Sequence, residues 1–196
     1  LTQLQQISVR TQQLVDQQHR CLNDAILPSL ASDGIRVLKE HELDKEQRKL
    51  VEQFFRQRAF PILTPMAIDP AHPSPRFHNR GLYLAALLSR ESGLGPETLF
   101  SVVQLPQVLP RFVPVGGPGV PVFVLLEDVL AAKLPELFGG YKSMHHATFR
   151  ITRDMDVDLL EQEGDDMLRA IESRLRARQR SEAVRLELQA GMGQDL

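Results

Sequence analysis

Two histidines and a carboxylate lie within ten residues of one another near the middle of the chain. Asp69, His72 and His78 are residue types that bind transition metals. Three prolines stiffen the stretch between Asp69 and Arg76, and neither a cysteine nor a second carboxylate is close by. The pattern therefore favours a hydrogen-bonded structural loop formed by Asp69, His72 and Asn79 over a metal site.

A second candidate is the histidine pair His145 and His146. A neutral imidazole is nucleophilic near pH 7 and can accept a phosphoryl group. Adjacent residues of a strand face opposite sides of a sheet, so at most one of the pair lines a given site. The pair alone does not indicate a phosphohistidine.

Alternating carboxylates follow at Asp154, Asp156 and Asp158, the spacing of the first three ligands in a calcium loop. Leu159 stands where that loop needs glycine, and Asp165 stands where it needs a bidentate glutamate. The pattern favours an acidic approach to a helix N-terminus over a calcium site.

Arginines form the remaining candidates. The late arginines lie on all sides of a helix predicted over 165–180: Arg169, Arg174, Arg176, Arg178 and Arg180. In this helix the acidic residues come first and the arginines last, which is the order that the helix dipole favours. Arg76 and Arg80 are the candidates for contact with a polyanion. No phosphate-binding GxxxxGK loop and no grouped Ser, His and Asp triad occurs, so no catalytic or cofactor-binding residue is predicted.

Composition limits the class of protein. The 196 residues are 42% hydrophobic, enough for one medium domain with an appendage, and the net charge of −2 provides no basic field for nucleic acid. The apolar runs are strand-sized, well below the roughly 20 residues of a membrane span, and no signal-type pattern opens the chain. A single cysteine, Cys21, fits a reducing compartment, so we expect a cytoplasmic protein.

Helical periodicity covers the first 30 residues, with an apolar stripe that includes Leu4, Ile7, Leu14, Leu22 and Ile26. Pro28 is expected to end this helix. The stripe is large enough to need a covering surface, so we expect the helix either to fold back on the domain or to pair with a second copy of the chain, and pairing is favoured.

The rest of the chain alternates between strand and helix patterns. Asp44 and Gln47 predict a capping box at the start of a helix. Strands are predicted at 35–38, 62–68 (buried, interrupted at Thr64-Pro65), 82–88, 99–105, 120–126, 147–152 and 184–188, with helices after Asp44, over 127–134 and over 165–180. The predicted fold class is α+β: a mixed β-sheet with packed helices, preceded by a long N-terminal helix.

Four motifs occur in one order along the chain: FPILTPMAIDPAHPSPRFHN at 60–79, LPRFV at 109–113, VLLEDV at 124–129 and FRITRD at 149–154. Together they resemble the head, or middle, domain of bacterial polyphosphate kinase. Ser74, Arg76, His78 and the pair Arg80-Gly81 stand where that family commonly has apolar or small residues.

The resemblance implies a domain organisation and an activity. Residues 1–33 would be the last helix of an N-terminal helical domain, 34–196 would be the middle domain, and the catalytic C-terminal domains would lie beyond Leu196. The whole enzyme would reversibly transfer the terminal phosphate of ATP to polyphosphate, through a phosphohistidine and with magnesium. The implied partners are the other domains of the same polypeptide and a second subunit in a homodimer.

For this segment, the resemblance implies a structural role: walling an active-site tunnel and supporting dimerisation, with no catalytic residue of its own. The sequence leaves two other hypotheses open. One is a stand-alone polyanion- or nucleotide-binding module that uses Arg76, His78, Arg80 and the late arginines. The other is an independent hydrolase, for which the sequence supplies no convergent nucleophile and base.

Overall fold

The computed structural model describes residues 2–68, 75–154 and 182–192. Its helices are α1 (Thr2–Arg20), α2 (Leu27–Ser32), α3 (Lys45–Phe54), α4 (Leu126–Ala132) and α5 (Leu134–Leu137), with π-helical segments at Cys21–Ile26 and Phe55–Ala59 and 3-10 turns at Glu40–Glu42 and Phe60–Ile62. Its strands are β1 (Arg36–Leu38), β2 (Pro65–Ile68), β3 (Leu82–Arg90), β4 (Thr98–Gln104), β5 (Phe112–Pro114), β6 (Val122–Leu125), β7 (Tyr141–Arg153) and β8 (Ala183–Leu188).

The N-terminal helix is longer than the sequence predicts, because Pro28 does not end it. Helical structure continues to Ser32, and a π-helical segment over Cys21–Ile26 joins α1 to α2. Within it the Leu27 N–H donates to the Leu22 carbonyl, five residues back. This wider turn accommodates the proline ring, which in a regular α-helix would clash with the carbonyl four residues earlier.

The chain divides into two compact units. The first, Leu1–Phe54 with Pro110–Val129, contains a three-stranded mixed sheet. In this sheet β6 is central, parallel to β1 and antiparallel to β5. Its core is aliphatic, and its buried side chains include Leu38, Val51, Val113, Val124 and Leu126.

The predicted capping box at the start of α3 is confirmed. The Asp44 carboxylate accepts a hydrogen bond from the Gln47 N–H at 2.8 Å, and the Gln47 side chain accepts one from the Asp44 N–H at 3.0 Å. Both backbone donors would otherwise lack a partner within the helix.

The second unit, Phe55–Leu109 with Leu130–Leu196, contains a five-stranded antiparallel sheet in the order β2-β4-β3-β7-β8. Its central strand, β3, pairs with β4 on one side and β7 on the other. Residues 83–86 of β3 are all buried, so both faces of the sheet are covered at that point. An uninterrupted apolar run is the sequence pattern typical of such a strand.

The predicted strand at 62–68 is confirmed over its last four residues, but the prediction that it is buried is wrong. Strand β2 includes only Pro65–Ile68, none of which is fully buried, and Ile62 belongs to a 3-10 turn and is 43% exposed. Strand β2 is a terminal strand of the sheet order, which suits Pro65, because a proline has no N–H to donate to a neighbouring strand.

Strand β7 is thirteen residues long, twice the predicted length, and its pairing is irregular at two places. The register shifts opposite Leu87 and Leu88 of β3, and again after Thr152 where β7 pairs with β8.

A pair of side chains also joins β7 to β8. Glu187 of β8 accepts two hydrogen bonds from Arg150, and this bonding raises the pKa of the Arg150 guanidinium.

The predicted class, α+β with a long N-terminal helix and a mixed sheet, is confirmed. The separate five-stranded antiparallel sheet was not predicted. The helix predicted over 165–180 lies outside the described residues. Within the described ranges, no helix combines the length and apolar character needed to cross a membrane.

Replacing Asp44 with alanine should lower the free energy of unfolding by about 1 kcal/mol, because the cap on the Gln47 N–H is lost. Urea denaturation followed by circular dichroism measures the effect. Asp44→Asn is the matched control, since asparagine caps equally well and should retain the wild-type midpoint. Equal midpoints for the alanine variant and the wild type would contradict a stabilising role for the cap.

Candidate functional site

The segment that leads into β3 is a tight turn. The Gly81 N–H donates to the His78 carbonyl at 3.0 Å, closing the turn over four residues. Arg80 adopts a φ of 59°, in the left-handed region that glycine or asparagine usually occupies. Asn79, predicted to stabilise this loop, lies between His78 and Arg80. The other predicted loop residues, Asp69 and His72, lie outside the described residues.

Three hydrogen bonds join this turn to the end of β7. The Arg80 N–H donates to the Ile151 carbonyl at 2.8 Å, and the Asn79 side-chain oxygen accepts a bond from the Arg153 N–H at 2.9 Å. The Arg153 guanidinium in turn donates to the Phe77 carbonyl at 3.0 Å. Asn79 thus satisfies a backbone donor, the role expected of a polar side chain in a loop without sheet partners.

An aromatic cluster supports the same turn. The Phe77 ring contacts Tyr83 and Phe149 edge-on, with centroid distances of 5.0 and 5.4 Å, and the Tyr83 and Phe149 rings stack at 5.3 Å. The Tyr83 hydroxyl accepts a hydrogen bond from the His78 N–H at 2.7 Å. Burial raises the pKa of the Tyr83 phenol, although the hydrogen bond from His78 and the positive charge of Arg153 partly oppose that shift.

Gly81 is required for the close approach of the turn to Tyr83. A Cβ at this position would lie 2.8 Å from the Tyr83 ring, 3.0 Å from its hydroxyl and 3.2 Å from the His78 carbonyl. The 2.8 Å approach to the ring is closer than a Cβ atom normally comes to another carbon. Any other residue at position 81 would therefore require the buried Tyr83 ring or the turn to shift.

Two arginines and a histidine of this segment are exposed to solvent. Arg76, His78 and Arg80 are exposed, and within the described ranges neither arginine guanidinium forms a hydrogen bond or an ion pair. The structure therefore places both predicted polyanion contacts, Arg76 and Arg80, on one anchored turn. We call residues 76–81 the arginine turn.

His145 and His146 lie in the middle of β7, opposite Leu87 and Ala86 of β3 respectively. Both are exposed, and they point to opposite faces of the sheet, as predicted for neighbours in a strand. Among the residues that the structure describes, neither imidazole has a carboxylate or another base as a hydrogen-bond partner.

Of the carboxylate series, only Asp154 lies within the described residues. The Asp154 N–H donates to the Glu182 carbonyl at 2.9 Å, which continues the pairing beyond β7 and β8. Asp156 and Asp158 lie outside the described residues. In the parts of the chain that the structure describes, no three His, Cys, Asp or Glu side chains come close enough to hold a metal ion.

Sequence reasoning missed a second polar pair, which lies in the first compact unit. Glu127 is only 7% exposed, and its carboxylate accepts hydrogen bonds from the Arg111 guanidinium at 2.5 and 3.0 Å. The Leu126 N–H also donates to the Arg111 carbonyl at 2.8 Å. Arg111 and Glu127 belong to two of the motifs quoted above, but the sequence alone does not indicate that they pair.

Replacing Asn79 with alanine should lower the free energy of unfolding by about 1–2 kcal/mol, because the Arg153 N–H loses its acceptor in a partly buried position. Asn79→Asp is the matched control, since it retains an oxygen at the same place. Urea denaturation of both variants gives the comparison. An unchanged midpoint for the alanine variant would show that water replaces the amide at no cost.

Comparison with known proteins supplies the family. The polyphosphate kinase of Bacillus anthracis is 39% identical over 189 residues, which are 95% of this chain and 27% of that protein. The polyphosphate kinase of Halalkalibacterium halodurans is 40% identical over 191 residues, or 97% and 27% respectively. The chain therefore spans about a quarter of the length of these relatives.

The fold is similar to a solved structure of the same name. The crystal structure of polyphosphate kinase from Porphyromonas gingivalis superposes with a TM-score of 0.63 and 25% identity, over 76% of this chain and 25% of that one. Residues 46–196 match the family described as the polyphosphate kinase middle domain. Because that match includes about three-quarters of this chain, the chain belongs to the polyphosphate kinase middle-domain family.

Proposed function

We propose that the protein containing this segment reversibly transfers the terminal phosphate of ATP to a polyphosphate chain. The family match over residues 46–196 is the observation that carries the proposal. Relatives that cover 95% and 97% of the chain bear the name polyphosphate kinase. The transfer would proceed through a phosphohistidine and would need magnesium. The phosphorylated histidine and the magnesium site would both lie in parts of the polypeptide outside this segment.

The role proposed for this segment is structural. Four polar side chains of the shared motifs are engaged with the protein itself: Asn79 and Arg153 fix the arginine turn, and Arg111 holds Glu127. We assign the sites for ATP and magnesium to the remainder of the enzyme, because this chain spans about a quarter of the length of its relatives. Fixed backbone of this kind suits a segment that walls an active-site tunnel.

A stand-alone polyanion- or nucleotide-binding module is the second candidate. The observation that favours it is the pair of unengaged guanidinium groups on Arg76 and Arg80. The relatives are about four times as long as this chain, which favours a part of a larger enzyme instead.

We also propose a cytoplasmic location. The exposed, unpaired Cys21 agrees with it.

Incubation with ATP labelled at the terminal phosphate tests the proposal. The full-length protein should form labelled polyphosphate with magnesium and should show acid-labile, base-stable label on histidine. The isolated segment 1–196 should acquire no such label and form no polyphosphate, because the proposed phosphohistidine lies in another part of the enzyme.

Label on the isolated segment would contradict the structural role. His145→Ala and His146→Ala would then show which imidazole carries the phosphate. A full-length protein that forms no polyphosphate and accepts no label would contradict the activity itself.

We further propose that the protein is a homodimer and that the N-terminal helix is an association element of the isolated segment. No residue of α1 is buried. Its side chains Leu4, Ile7 and Leu14 are 50–68% exposed, and Leu22 in the following π-helical segment is 41% exposed. Burying side chains of this size contributes roughly 1.5–3 kcal/mol each. Four of them offset much of the cost of association.

Sedimentation of the segment 1–196 and of a truncated form that starts at Gly34 should therefore differ. The longer form should dimerise in a concentration-dependent way, and the truncated form should remain a monomer. Leu14→Gln should weaken dimerisation, whereas the control Gln13→Ala should not. Monomers at every concentration for both lengths would show that the helix is not an association element.

A further inference from the structure

Arg80 occupies a backbone conformation that its side chain disfavours. Among the described residues it is the one non-glycine residue with positive φ, at 59°. The Cβ of any residue except glycine is crowded in this region, and only asparagine and aspartate are common exceptions. Strained positions of this kind concentrate where a side chain serves a function.

The surrounding contacts hold the Arg80 backbone at this φ, so the strained conformation does not belong to a freely moving loop. The Arg80 N–H is bonded to the Ile151 carbonyl, and the neighbouring Asn79 is bonded to the Arg153 N–H. Gly81 then closes against Tyr83 with no room for a Cβ. The turn would adopt the same backbone with glycine or asparagine at position 80 and with less strain.

The Arg80 side chain contributes nothing to these contacts. It is exposed, and within the described part of the chain its guanidinium has no hydrogen-bonding or ionic partner. Arg76, on the other side of Phe77, is also exposed and unengaged. Folding therefore does not account for an arginine at the strained position.

We propose that Arg80, together with Arg76, binds an anionic phosphate chain, an inference that rests on the proposed function. A guanidinium presents a planar fork of donors that matches phosphate oxygens, and it stays charged at all physiological pH values. The hydrogen bonds to β7 hold the turn in place, so little loop entropy is lost on binding.

The experiment uses the full-length protein and the reverse reaction, formation of ATP from ADP and inorganic polyphosphate. Arg80→Gly and Arg80→Asn should unfold at or above the wild-type temperature, because the strain is relieved. Their KM for polyphosphate should rise by about three- to ten-fold, the range for losing one partly exposed charged contact, with kcat and the KM for ADP unchanged. Their KM should also depend less steeply on salt, because one fewer counterion is released.

Arg80→Lys should retain most of the wild-type affinity and the wild-type salt dependence. Arg58→Ala removes an exposed arginine elsewhere in the same compact unit and should change neither KM. Wild-type KM and salt dependence in Arg80→Gly would overturn the inference, as would lower stability in both relieved variants.

A full-length protein without turnover would contradict the proposed function, and the arginine turn would still be testable. Calorimetric titration of inorganic polyphosphate into the wild type and Arg80→Gly then decides. Weaker binding by the variant supports the contact. Equal binding, or no binding by either protein, overturns it.

Discussion

The buried ring of Tyr83 is the common contact of the turn that precedes strand β3. Its face stacks on Phe149 of β7, it forms a T-shaped contact with Phe77, and its hydroxyl accepts a hydrogen bond from the His78 N–H. These contacts hold the arginine turn against the sheet, and a larger residue than Gly81 would have to displace the ring or the turn. Because aromatic rings bury large areas in a specific relative orientation, this one side chain orders a polar turn that has few apolar contacts of its own.

Local rules predicted the local structure well. The Asp44 and Gln47 pair gave the start of α3 correctly, and the apolar run of β3 gave a central strand. Predictions from single residues were less successful where the backbone could adapt. A proline at position 28 is compatible with a continuing helix because the preceding turn widens, and no local pattern distinguished the edge strand β2 from a buried strand.

Contacts distant in sequence were beyond prediction from one chain. Asn79 bonds to Arg153, 74 residues away, and Arg111 bonds to Glu127, with strands β5 and β6 between them in the sequence. The motif residues were visible, but their partners depend on strand order and register. The Arg111 and Glu127 pair also differs in kind from the surface ion pairs, because its carboxylate is buried. Removing the arginine would leave an uncompensated charge, a larger effect than the loss of an exposed pair.

Strand β8 ends the five-stranded order with three apolar side chains in water: Val184, Leu186 and Leu188. A regular outer strand of this composition would be a template for other chains, and sheets would grow from it into aggregates. Two features make it a poorer template. The register shifts after Thr152 where β7 pairs with β8, and irregularities of this kind increase the local twist of a strand. Arg185 and Glu187 also place charge between the apolar positions. An irregular, charged outer strand pairs less readily with another chain than a regular apolar strand does.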